Sequence, residues 1–446
     1  MIKKTKLLLL VLSSILLFTS IEAQSADFKP VPIVKDTLPN GLTVVYSIDK
    51  SAPIIATVVH YKVGSRYEVP GKTGYAHFFE HLMFESTDAY PRASIDKFVE
   101  EAGGSLNAHT ASDETVFYLK LPSNNLEMAL WIESSRMRGL HVDTIGVNTQ
   151  KGVVSEELKM RRENTAYGTM IDKMSEFLYK GTNYEWTTVG SLEDIQNAKN
   201  SDFKTFYDEY YYPNNAILAV VGDFNLEDAR VLVNKYFGRL PRHTIPPERP
   251  FVLQPIEKPV KETIEDAKAQ LPGIFIGYRG CSEIAPDNYP LTLLSQILAA
   301  GESSRFYQKL VDKDQISVGA AVFPYSLEKA GSLIFYSIAA PGKSVDENIE
   351  AIDGLIKDVV KNGVTDEELQ KAKNIMEASF ISDKKNVLEK AESLASYTAY
   401  YGDPSLINTE LDKYLKVTKE DILRVAKKYL DTDKRIVLIY MPKDKS

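Results

Sequence analysis

His77, Glu80 and His81 form an H-x-x-E-H pattern inside the stretch Gly74-Tyr75-Ala76-His77-Phe78-Phe79-Glu80-His81-Leu82-Met83-Phe84. On a helix, spacings of three and four residues put all three side chains on one face. Two imidazoles one turn apart can hold a single Zn²⁺, with the glutamate within reach of the metal's water. The neighbours Phe78, Phe79, Leu82, Met83 and Phe84 leave this helix no polar side and predict that it is buried. Buried imidazoles and a carboxylate need a partner, and one metal ion satisfies all of them. With 6 histidines in the chain, chance would yield the pattern on the order of once in a hundred chains or less.

A catalytic zinc takes three protein ligands and keeps one position open. His60, His109, His141 and His243 stand in strand, loop or linker contexts without ligand spacing, and read as ordinary surface or satisfied residues. The better candidate lies in Val153-Val154-Ser155-Glu156-Glu157-Leu158-Lys159-Met160. Placed around a helix, Val153, Val154, Leu158 and Met160 define an apolar arc. Glu157 falls near its middle, and Glu156 at its edge towards Lys159 and Glu163. A carboxylate on an apolar face is costly unless paired or metal-bound. Arg161 shares the arc, so Glu157 reads equally as a ligand or as half of a buried ion pair.

These residues sit in a chain of 446, long enough for two or three domains. Its 44% hydrophobic and 26% charged content is that of a folded protein, and a net charge of −8 argues against nucleic-acid binding. Lys3, Lys4 and Lys6 precede the apolar run Leu7 to Phe18, which gives way to small and polar residues through Ala26. That is a signal peptide over residues 1–26, with cleavage near Ala23. No later apolar stretch is long enough to span a bilayer, so the mature chain is expected to have no transmembrane segment. The lone Cys281 allows no internal disulfide and reads as a small core residue.

Thr37 to Tyr46 reads as a turn feeding a strand, further strand patterns cover Ile54 to Val63, Gly103 to Thr110, Thr115 to Leu121 and Ala216 to Val221, and helices are read at Ile95 to Ala102, Leu126 to Leu140, from Val147, and Ser201 to Tyr211. The stretch from Pro241 to Pro259 carries six prolines and reads as a semi-rigid linker. Beyond it the order repeats. Strands (Ala269 to Tyr278), a helix (Tyr289 to Ala300), strands (Val318 to Tyr325, Ser332 to Ala339), helices (Val345 to Lys361, Thr365 to Lys384, from Glu389) and a last strand (Arg435 to Tyr440) follow one another. The expectation is an α+β fold of two similar domains, residues 27–240 and 259–446, joined by a linker over 241–258. Each would be a mostly antiparallel sheet packed with helices. Only the first carries the histidine motif.

With these residues in place, the chain resembles the pitrilysin/insulysin/mitochondrial processing peptidase family of inverted zincins. Leu38-Pro39-Asn40-Gly41-Leu42, Val63 to Glu68, Gly74 to Phe84, Asn107-Ala108-His109-Thr110, Val153 to Met160, Tyr211 to Asn215, Val221-Gly222-Asp223 and Ser303 to Phe306 carry the likeness over nearly the whole mature sequence. The resemblance implies His77, His81 and Glu157 as ligands of one Zn²⁺ per chain, and Glu80 as the general base that deprotonates the attacking water. It further implies that Leu106, Asn107 and Ala108 lie on an edge strand to which a peptide substrate adds as an extra strand.

Two departures stand out. Where family members often carry an acidic residue two turns before the third ligand, this chain has Gln150, an outer neighbour of the metal. Active members also place an arginine and a tyrosine in the second domain to hold substrate, and here Val311 and Val318 occupy those positions. Valine donates no hydrogen bond to a substrate carbonyl. The expectation is therefore a zinc endopeptidase subunit, secreted across the inner membrane to the periplasm. A related partner subunit, or a second copy, would complete the clamp. The alternative is a non-catalytic scaffold or peptide-binding member of the same fold.

Overall fold

The computed structural model describes residues 29–443, so the expected signal peptide lies outside the described residues. In chain order the first half holds β1 (Val34–Thr37), β2 (Thr43–Ile48), β3 (Ile54–Tyr61), α1 (Tyr75–Leu82), α2 (Ile95–Glu101), β4 (Ser105–Thr110) and β5 (Thr115–Pro122). It continues with α3 (Leu126–Arg138), α4 (Thr144–Arg162), α5 (Met170–Leu178), α6 (Leu192–Asn197), α7 (Asn200–Tyr210), β6 (Ala216–Gly222) and α8 (Leu226–Phe237). The second half holds β7 (Val260–Asp266), β8 (Gly273–Gly280), α9 (Asn288–Ala299), β9 (Ser317–Ser326), β10 (Gly331–Ala339) and α10 (Val345–Asn362). It ends with α11 (Asp366–Asp383), α12 (Val387–Tyr401), α13 (Glu410–Leu415), α14 (Lys419–Tyr429) and β11 (Arg435–Pro442). Residues 241–259, the proline-rich stretch, carry no helix or strand.

Two sheets result, ordered β1-β2-β6-β3-β5-β4 and β7-β11-β8-β10-β9. Apart from β1 they superpose in topology. β2 and β7 each pair in parallel with the last strand of their half, β6 and β11, and every other pairing is antiparallel. The strands β4 and β9 end their sheets in equivalent places, each with one hydrogen-bonded neighbour. The central strands are apolar on both faces, which requires cover on both sides.

That cover is exchanged between the halves. Alternate residues of the first sheet, including Val44, Val59, Phe117 and Leu119, pack against α1, α3 and α7 of their own half. The opposite face, Val45, Ala56, Val58, Ile217 and Ala219, is buried under Ala391, Leu394 and Ala395 of α12, from the second half. Reciprocally, Phe275, Ile334 and Leu438 of the second sheet pack against Met170, Met174 and Leu178 of α5, from the first half. The helices α5 and α12 hold equivalent positions in chain order, so each half lends the same element to its sister. Cys281 is half-buried against the second core, its thiol pushed up to about 11 by burial.

Polar contacts reinforce the exchange. Lys390 of α12 pairs with Asp49, and Tyr400 donates to Glu114, which also faces His60 and His109. Asp49 is held at about 2 against burial by Lys390 and Ser51, and Glu114 at about 2, also against burial, by the imidazoles and Tyr400. A carboxyl depressed in the folded state stabilises above its unfolded value and loses that contribution as pH falls towards its folded one. The melting temperature is therefore expected to fall between about pH 4 and pH 2, and Lys390→Met should flatten part of that decline. Leu394 is fully buried, so Leu394→Ala should cost about 2–5 kcal/mol in urea unfolding. Loss of protection should appear in the first sheet by hydrogen exchange, although the mutation lies in the second half.

Candidate metal centre

The helix α1 is short and carries the three motif residues on the turn that faces α4. Tyr75, Phe78 and Phe79 fix its other side through ring contacts with Phe203, Phe206 and Tyr207 of α7, Phe78 stacking on Phe203 at 4.1 Å between centroids. With that face committed to the core, His77 and His81 have one direction left, towards Glu157.

His77 Nε2 lies 3.6 Å from Glu157 Oε1, and His81 Nε2 lies 3.2 Å from Glu157 Oε2. All three donor atoms fall within 4.8 Å of one another. Donors around a tetrahedral ion at 2.0–2.1 Å stand roughly 3.3–3.4 Å apart, the spacing of the two imidazole–carboxylate pairs, so these residues could hold a zinc ion. Protonation states agree. Burial, together with the neighbouring His81, holds the His77 imidazole below its usual range and keeps it neutral. The hydrogen bond from His81 leads the effects that hold Glu157 below the carboxylate range. A neutral imidazole and an ionised carboxylate are the forms a metal needs. His77 Nδ1 is buried without a hydrogen-bond partner.

Glu80 does not join this trio. Thr110 of β4 donates a 2.6 Å hydrogen bond to its Oε2, which turns the carboxylate to the side of the cluster nearer the edge strand. Burial raises its pKa, and Thr110 and the imidazoles partly oppose this. Thr110 went unrecognised in the sequence, although period-two alternation puts it on the same face as Leu106 and Ala108. Leu106, Asn107 and Ala108 lie on β4, half-buried, exposed and buried in turn. Gln150 donates to Glu85, which also pairs with Arg92, and makes no hydrogen bond to the trio.

The expected apolar arc on α4 is not what the structure shows. Val154 and Leu158 are buried, but Val153 and Met160 are 46% and 59% exposed. The helix turns Val147, Val154 and Leu158 inward, so Glu157 sits at the margin of the buried face, 23% exposed. Arg161 Nη2 lies 2.6 Å from Glu157 Oε1, an ion pair whose arginine is exposed and not buried, while both imidazoles face the same carboxylate. Glu156 points outward to Lys159, as the wheel predicts. The other four histidines have their own company: Glu114 for His60 and His109, Asp88 for His141, and the Tyr212 ring for His243. In the second half, α9 occupies the place of α1 between sheet strands and carries no histidine or carboxylate. Val318 on β9 is 54% exposed, and Val311 is half-buried on the π-helical turn Tyr307–Lys313.

Comparison with known proteins points the same way. Residues 43–191 match the family model described as Insulinase (Peptidase family M16), and residues 197–376 match that of the Peptidase M16 inactive domain. A Helicobacter pylori protein named zinc protease PqqE is 31% identical over 440 residues, covering 97% of this chain and 98% of that one. The beta subunit of mitochondrial-processing peptidase from Caenorhabditis elegans is 27% identical, covering 76% of this chain and 72% of its own. The crystal structure of a protease from Helicobacter pylori superposes with a TM-score of 0.88 at 30% identity, covering 92% of this chain and all of that one. The periplasmic protease PqqL of Escherichia coli shares the fold at a TM-score of 0.74 and 19% identity, with this chain covering 93% of itself and 48% of that protein.

Chelator competition with apo-protein should reveal one tight zinc equivalent. His77→Ala, His81→Ala and Glu157→Gln should each weaken it by more than the ~10–100-fold typical of losing an outer partner. Glu80→Gln should leave it nearly unchanged.

Proposed function

The chain belongs to the insulinase family, peptidase family M16, and from that membership we propose that it is a secreted zinc metalloendopeptidase subunit acting on peptides or unfolded segments. The observation that carries this reading is the His77–His81–Glu157 trio with a carboxylate, Glu80, held beside it by the edge strand. Bound zinc would supply a Lewis acid that polarises the peptide carbonyl and acidifies water. Everything else falls to the protein. Glu80, its basicity raised by burial, takes the proton of the attacking water and returns it to the leaving amine. Thr110 keeps the carboxylate aimed. The free edge of β4 at Leu106, Asn107 and Ala108 receives an extended substrate by main-chain hydrogen bonds, which reads backbone rather than sequence. Gln150 steadies Glu85 behind the site.

The substrate clamp is the part this chain lacks. Val311 and Val318 have no hydrogen-bond donor where the family resemblance calls for arginine and tyrosine, so a related partner subunit would supply them. The same two valines favour the second reading, a non-catalytic scaffold or peptide-binding member of the fold. Secretion rests on the lysine-led apolar run of residues 1–26, and among the described residues no helix is long and apolar enough to cross a membrane. That combination supports a periplasmic protein.

Assayed with zinc on an unfolded fluorogenic peptide, the protein alone should cleave slowly and gain activity from a related chain carrying the arginine and tyrosine. Glu80→Gln should lower kcat about 10²–10⁴-fold with zinc content intact. Full turnover by the lone protein would remove the partner from the scheme, and an indifferent Glu80→Gln would remove the peptidase.

A further inference from the structure

Glu68 is 2% exposed, and nothing in the reaction described above employs it. Its carboxylate reaches the beginning of α1. Oε2 accepts from the Gly74 amide and Oε1 from the Ala76 amide, both at 2.8 Å, and Trp186 Nε1 donates to Oε2 at 3.1 Å. The indole is fixed in turn, since the same Nε1 also donates to Ser65 O at 3.0 Å. We propose that Glu68 is a positioning residue of the metal centre: by gripping the amides of the N-cap Gly74 and of Ala76 it sets the rotation and depth of α1, and so aims His77 and His81 at Glu157. This inference rests on the zinc reading given above.

The need for such a grip follows from the helix itself. α1 has eight residues, too few to be stable alone, and its first amides have no partners within it. Gly74 at the N-cap, with φ +87°, has no side chain to serve them. Other contacts crowd the same end without touching those amides. Asp194 takes the amide and hydroxyl of Thr73 at 2.9 and 2.6 Å, and Gly190 approaches so closely that a Cβ there would stand 2.2 Å from Gly74 N. Among the described residues Glu68 is the side chain that accepts from the backbone at this end, at the N-cap and at the second helical residue, and His77 follows the latter.

The leverage is large. A slip of about 20° about the helix axis moves a side-chain tip, some 5–6 Å out, by about 2 Å. Metal–ligand distances tolerate only about 0.2 Å. A purely structural cap would affect folding and leave the metal geometry of the folded protein unchanged. A positioning residue changes the geometry.

The test uses full-length mature protein and two readouts that need no turnover: zinc affinity by chelator competition, and the visible spectrum of the cobalt-substituted protein. Glu68→Gln, which puts an amide NH₂ against a backbone donor, should weaken zinc about 10–100-fold and alter the cobalt bands while circular dichroism stays native. Trp186→Phe, which keeps the carboxylate but frees it on one side, should weaken zinc a few-fold in the same direction. A folded Glu68→Gln protein with unchanged affinity and spectrum overturns the proposal. Should that variant fail to fold, Trp186→Phe decides, and an unaltered affinity there overturns it equally. A wild-type protein that binds no zinc refutes the metal reading itself, a different and separable result.

Discussion

Everything at the site depends on one packing relation: a two-turn helix pressed against a long one, with polar atoms at the contact. α1 commits Phe78 and Phe79 to the aromatic layer of α7, and that leaves His77 and His81 facing α4. Two imidazoles and a carboxylate in such a contact would be costly without a shared partner. Both imidazoles lie 3.2–3.6 Å from the Glu157 carboxylate, so the fold itself brings the three side chains together. The cluster is thus gathered by the packing of the core.

The exchange of α5 and α12 extends that rigidity to the whole chain. Because each sheet takes its second cover from the other half, neither can shed its sister without exposing a face of Val, Ile and Phe. The β4–β5 hairpin is tied into the same arrangement. Asp113 at its tip accepts from Arg66, from Tyr184 and from the backbone of Glu328, and Glu114 accepts from Tyr400. The hairpin that carries Thr110, and through it the orientation of Glu80, is therefore anchored from the second half. The half without the histidine motif still has a part in placing Glu80.

Much of this was legible in the sequence because it is written in local spacing. The H-x-x-E-H helix, the central strands and the repeated order of elements all follow from periodicity and turns. The proline-rich stretch likewise marks where regular structure stops. What was not legible is what long-range packing decides. β7 reads Val-Lys-Glu-Thr-Ile-Glu-Asp, which resembles a charged helix face until a parallel neighbour 176 residues away in sequence, Ile436 opposite Val260, pairs with it. The helical wheel of α4 puts Glu157 mid-face on an apolar arc that the structure does not form. Val153 and Met160 look like core residues, but the inward direction is set by α1 and α6, which the wheel does not know. The exchange of helices leaves no local trace, since α5 and α12 are amphipathic whichever sheet they cover.

The two halves share a topology and differ in chemistry, and the difference is confined to a few positions. α9 stands where α1 stands, but an apolar Leu-Thr-Leu-Leu-Ser-Gln-Ile-Leu run replaces the histidines. β9 stands where β4 stands, a sheet edge with one partner, and it carries the exposed Val318. A duplicated scaffold can lose a function from one copy without losing stability, because its core residues and its site residues lie on opposite sides of the same elements. In this chain the front copy carries the His77–His81–Glu157 face. The back copy carries the packing faces that the front copy needs, which makes it a structural requirement of the fold.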